Sequence, residues 1–178
     1  DAVDEKVHAR SIEKRLIQEC FTDTTSYVDS PSESPNYAAI AQGATAYLRG
    51  DFADALAIWQ PLAEAGDARC QFNVGLLHER GQGVPQSDDE AARWYLRAAN
   101  QGYAPAQHRL GQMLAEGRSA GADPVAAYFW LTLAERAHGA GGTSRWIAMQ
   151  REAVRRKLSP EQLAEADAAI LVWRPVRE

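Results

Sequence analysis

The most chemically suggestive stretch of the chain is Ser11-Ile-Glu-Lys14, which spells the S-x-x-K of penicillin-binding enzymes. On a helix that spacing sets a nucleophilic hydroxyl one turn from an amine able to take its proton. The companion S-D-N and K-T-G elements are missing, so chance explains so short a match better. His78, His108 and His138 fall 30 residues apart, which invites a metal reading. Asp88, Asp89 and Glu90 could hold a cation, but negative charge there is also what the positive end of a helix dipole favours. Gly81-x-Gly83 is a turn and not a dinucleotide loop, since no strand precedes it and Gln86 stands where the third glycine would be. Cys20 and Cys70 lack the C-x-x-C spacing of metal sites, and both a mutual disulfide and two free thiols remain open. The basic run from Arg151 to Lys157 reads as a solvated face, or as a receiver for an acidic segment or partner. None of these is a catalytic constellation.

The elements that would position such residues come from an internal repeat. Shifted by 36 positions, Ala68 meets Ala104, Gln71 meets Gln107, Gly75 meets Gly111 and Gly81 meets Gly117. The second half follows, with Ala91 on Ala127, Trp94 on Trp130 and Ala98 on Ala134. Shifted backward, Ala55, Ala63 and Gly66 fall under Ala91, Ala99 and Gly102. A period of this size marks an array whose units must stack to bury their apolar faces. The three histidines, spaced at 30 against 36, then occupy different positions in successive units and are not expected to converge.

Each half-unit has helical periodicity. Gly75 and Gly111 sit mid-helix, where glycine costs about 1 kcal/mol against alanine. A helix accepts that cost where a neighbour must approach closely. Ser87 to Glu90 reads as a capping box and Gly102 as a left-handed C-cap. Arg80-Gly-Gln-Gly-Val-Pro85 is too rich in glycine and proline to be helical. The unit is therefore a helical hairpin.

Three such hairpins are expected over 37–142 (37–66, 67–102 and 103–142). The first has a connecting loop five residues shorter and carries Pro61, expected to bend its second helix or cut a hydrogen bond. Residues 1–36 read as an N-terminal helix and a polar linker, acting as a cap or occupying the solenoid's own groove. Residues 143–178 read as a capping pair of helices, the first placing Ile147, Val154 and Leu158 on one face. The second opens at Ser159-Pro160-Glu-Gln162 and is expected to bury Leu163, Ile170 and Leu171. Trp94 and Trp130 share one repeat position and Trp59 aligns with Tyr95, so the aromatics read as packing between hairpins.

Composition narrows the partner. The 178 residues suit one domain or one short solenoid with a real core. No run approaches the ~20 apolar residues of a membrane span. Of the net charge of −5, residues 1–36 hold eight acids against four bases, and residues 37–178 sixteen against fifteen. The repeats are nearly neutral, which argues against nucleic acid. The first residue, Asp1, suggests that a leader has been removed; the compartment is open, with a periplasmic or secreted one ahead of the cytoplasm.

The combination Ala104-x-x-Gln107-x-x-Leu110-Gly111, Gly81-x-Gly83-Val84, Ala91-x-x-Trp94-Tyr95-x-x-Ala98-Ala99 and Gln101-Gly102 resembles the Sel-one-like repeat, a relative of the tetratricopeptide repeat. The resemblance covers roughly residues 37–142. It implies an all-α fold, a right-handed superhelical α/α solenoid used as a non-enzymatic scaffold or adaptor for a protein or peptide, bacterial in origin. It implies no catalytic residues, cofactor or metal. A cell-wall or β-lactam enzyme, suggested by Ser11, and a purely structural spacer are the alternatives. The first helix of each unit is expected to line the concave face. Ala68, Gln71, Ala104 and Gln107 then brace the hairpins. Arg69, Phe72, Asn73, Leu76 and Glu79, with His108, Arg109, Gln112 and Glu116, are left to face the groove, unless Phe72 and Leu76 fill the gap between hairpins. On this reading Arg109→Ala and Gln112→Ala spare the fold, whereas Trp94→Ala damages it.

Overall fold

The computed structural model describes residues 36–138 and 142–176. The helix and linker expected over 1–36, with Ser11 and Cys20, lie almost wholly outside the described residues. Among the described residues the structure is all-helical: α1 (Tyr37–Arg49), α2 (Phe52–Glu64), α3 (Ala68–Arg80), α4 (Asp88–Asn100), α5 (Ala104–Glu116), α6 (Pro124–His138), α7 (Gly142–Arg155) and α8 (Pro160–Val172). Each of the first seven packs mainly on its neighbours in sequence, which is the geometry of a solenoid. α8 breaks the pattern by lying against α6. No described helix is long and apolar enough to cross a membrane.

Close approach inside each hairpin rests on a glycine facing a large side chain. A Cβ at Gly75 would lie 2.7 Å from the Tyr95 ring, and one at Gly111 would lie 2.8 Å from Leu131 Cγ. The first hairpin repeats the device with Gly43, where a Cβ would run into the Trp59 indole. Trp59, Tyr95 and Leu131 are spaced by 36 and all are fully buried. The shorter first loop moves Gly43 out of that register, which hides it from a fixed-period comparison. Trp130 is buried as expected, but Trp94 is only half-buried, with the Arg97 guanidinium 5.0 Å from its ring.

Local chemistry sets the helix ends. Asp67 caps α3 by accepting from the Arg69 and Cys70 amides. Ser87 caps α4 through the Glu90 amide, but Glu90 turns its carboxylate to Arg93, so the capping box is half made. The full box forms at Ser159 and Gln162. Gly102 adopts φ 87°, the left-handed region that glycine enters without strain. α2 runs through Pro61 to Glu64, giving up the bond that a residue-61 amide would make. α8 buries Ala166 and Ile170; Leu171, expected inside, is 70% exposed, because α8 meets α6 along a different face.

Candidate functional site

The repeat writes its bracing into glutamines. Gln71 Nε2 donates to the Ala63 carbonyl at 3.1 Å, and Gln107 Nε2 donates to the Ala99 carbonyl at 3.2 Å. Both acceptors sit at a helix C-terminus, where carbonyls lack an intrahelical partner. At the earlier junction Gln101 completes the set, donating to both Gln71 Oε1 and the Gly66 carbonyl at 2.9 Å. Thirty-six residues on, its place is taken by Ala137, and Gln107 Oε1 is left without a hydrogen-bond partner.

Beside this frame a polar chain crosses from the second unit to the third. Glu79, at the end of α3, accepts from Tyr95 Oη at 2.8 Å, Arg109 Nε at 2.9 Å and Arg118 Nη1 at 2.7 Å. Arg118 also forks onto Asp88, at 2.8 and 3.2 Å. The chain continues outward as Arg109 Nη1 donates to Gln112 Oε1 at 3.1 Å, and Gln112 Nε2 donates to Glu116 Oε1 at 2.9 Å. Burial alone would push the Glu79 carboxyl up, but the Arg109 charge and the hydrogen bonds from Tyr95, Arg118 and Arg109 outweigh it and hold the group ionised below the usual carboxylate range. Burial, then the Glu79 charge, push the Tyr95 phenol well up. Every charge in the buried part thus has a partner.

The nine residues expected at a groove separate on this geometry. Phe72, Asn73, Leu76, Glu79 and His108 are all at most 6% exposed. Phe72 packs on the Tyr95 and Tyr103 rings, and Leu76 belongs to the core around Trp59. The reason is position: α3 lies mid-array, so most of its circumference is covered. His108 sits edge-on to Trp146 and shares a 2.9 Å hydrogen bond with Gln150 on α7. Burial, followed by the charges of Arg109 and His138 against that bond, brings its pKa down to about 4. Arg69 pairs with Asp67 at the far end of α3 from the polar chain. Arg109, Gln112 and Glu116 come together along α5, partly open to solvent.

The sequence reading missed Tyr95, Asp88 and Arg118 as members of this network. Asp88 was visible only as a helix-start acid, and Arg118 lies in a loop whose path no periodicity fixes. Among the described residues no group of three His, Cys, Asp or Glu side chains could hold a metal ion. Cys70 is fully buried and free, and burial pushes its thiol up, so it is not a nucleophile.

Comparison with known proteins fits this frame. A family model of the Sel1 repeat matches residues 68–103 and 104–137, the two units joined by the network. The chain carries Sel1 repeats. Its fold is similar to a crystal structure of c5321, described as a protective antigen of uropathogenic Escherichia coli with an SLR fold. That likeness has a TM-score of 0.68 and 26% identity, over 81% of this chain and 31% of the other. An Arabidopsis thaliana F-box protein, At1g70590, is 34% identical over 52% of this chain and 26% of its own length. Chitin synthase regulatory factor 2 of Schizosaccharomyces pombe is 27% identical over 67% of this chain and 25% of its own. The Sel1-like chain thus spans roughly a quarter to a third of these relatives. Sel1 repeats generally serve as protein-interaction scaffolds, typically without catalysis of their own.

Proposed function

We propose that this chain is a non-enzymatic adaptor that holds a protein or peptide along the first helices of its repeats, with α5 as the main contact. The observation that carries the reading is the strip Arg109–Gln112–Glu116. It offers a cation, an amide and a carboxylate on successive helical turns, fixed from below by buried Glu79. Groups held rigid before contact lose little entropy on binding, which favours recognition of a polar or charged segment. Arg69 extends the surface toward the second unit, over a core that Phe72 and Leu76 fill.

The test begins with a pulldown from the source organism and a titration of the recovered partner. Gln112→Ala with Glu116→Ala should leave the helical spectrum and melting midpoint unchanged and weaken binding at least tenfold. Undiminished binding by that double variant would refute the α5 surface as the contact.

A further inference from the structure

After α8 the described chain, to Val176, turns back along the surface of the repeats. Trp173 leaves the helix at φ −61°, ψ 138°, close to polyproline geometry, and Pro175 biases Arg174 the same way. The segment then passes over α6 at Trp130 and reaches the end of the second repeat at Asn100 and Gly102. The Trp173 indole meets Trp130 edge-on, with centroids 6.4 Å apart at 82°. Both Trp173 and Pro175 lie over Gly102, where an added Cβ would be 3.3 Å from Pro175 Cβ and 3.8 Å from the indole. The Val176 amide donates to the Asn100 carbonyl at 2.9 Å. Asn100 ends α4, so its carbonyl is one that the helix itself leaves without a partner.

Three parts define the crevice: an aromatic wall in Trp130, a floor without a side chain at Gly102, and a backbone acceptor at Asn100. Grooves that recognise extended proline-containing segments are built this way, from aromatic walls and a few hydrogen-bond partners. Two of the parts belong to the repeat itself. Trp130 holds the register of Trp94, and Gly102 that of Gly66, which also has positive φ. Two stacked repeats therefore make the crevice, and the C-terminal segment fills it. Val176 is 64% exposed, so its bond to Asn100 stands open to competition by water or by another chain.

We propose that this crevice is a docking site for an extended aromatic-x-proline segment of a protein partner, closed in cis by Trp173, Pro175 and Val176. It lies away from the α5 strip and does not depend on that assignment. A tethered segment acts at a millimolar effective concentration, so a free peptide at micromolar concentration displaces it poorly until the tether is weakened.

The probe is a labelled peptide carrying residues 172–178, titrated against the full chain, the chain ending at Val172, and full-length Val176→Pro, which lacks the amide donor. The shortened chain should bind saturably and gain melting temperature from the peptide, and the full chain should bind at least tenfold more weakly. Val176→Pro should bind more tightly than wild type, and a peptide with Trp173→Ala and Pro175→Ala at least tenfold more weakly than the parent. Should the shortened chain fold poorly, peptide-induced recovery of helicity reports the same association. The proposal is overturned if the peptide neither binds nor stabilises the shortened chain, if full and shortened chains bind it equally, or if Val176→Pro binds no better than wild type.

Discussion

Arg109 Nε donates to Glu79 Oε2 at 2.9 Å, although the two residues belong to successive repeats. The Glu79 side chain is only 3% exposed, and three donors converge on its carboxylate. Removing one member of a buried, paired set costs about 3–5 kcal/mol, because the remainder stays buried without compensation. Glu79→Ala should therefore lower unfolding stability by about 3 kcal/mol, near the bottom of that range, since Arg118 keeps Asp88. Arg109→Ala should cost about 1–3 kcal/mol through its bond to Glu79, in contrast to the sequence-based expectation that it spares the fold. Urea denaturation decides this, and unchanged midpoints for both variants would show the network to be ornamental.

Acid should loosen the junction in two stages. His108 is held neutral in the fold, at about 4 against an ordinary 6.5, with Gln150, Trp146, Arg109 and His138 around it. Between those values the unfolded chain binds the proton and the folded chain does not, so stability falls as pH drops from about 6.5 to about 4, by up to about 3 kcal/mol. Glu79, depressed in the fold, contributes stability that is complete above its unfolded pKa and lost as pH falls through the folded one. Melting midpoints for His108→Gln should be flatter across the upper window than those of wild type. Identical slopes would contradict the assignment.

The glycine contacts predict a reversal of helix propensity. Gly111→Ala gains about 1 kcal/mol in propensity. Its new Cβ would lie 2.8 Å from Leu131 Cγ and 3.0 Å from the Leu131 backbone nitrogen, and the backbone cannot step aside cheaply. Overpacking of this kind costs about 1–3 kcal/mol, so the variant should be less stable, and Gly111→Leu more severely so. A melting midpoint at or above wild type for Gly111→Ala would remove Gly111 as a packing site.

Burial also ranks the tryptophans. Trp59→Ala should cost about 3–5 kcal/mol, since Trp59 is fully buried against Tyr47 with its indole nitrogen on the Ile40 carbonyl. Trp130→Ala should follow, and Trp94→Ala should cost least, because Trp94 stays half in solvent beside Arg97. Equal losses at the three sites would mean that the 36-residue register, and not burial, governs their energetic weight.

By itself the sequence determined what depends on neighbours along the chain or on strict periodicity. The 36-residue register exposed the hairpins, the mid-helix glycines at Gly75 and Gly111 and the bracing pair Gln71 and Gln107, and a local capping motif exposed the start of α8 at Ser159 and Gln162. Those features recur or lie within one helical turn, so one chain carries enough copies to reveal them. Only the tertiary structure decided which faces stay open. Phe72, between Gln71 and Asn73, and Leu76 were both free to face a groove, yet both are buried, because the middle helix of a stack is covered from several sides at once. Arg118 reaches Glu79 from 39 residues away through the loop between α5 and α6, and Val176 reaches Asn100 from 76 through the segment after α8. Such contacts are set by where loops and tails return in space, and periodicity holds no record of that.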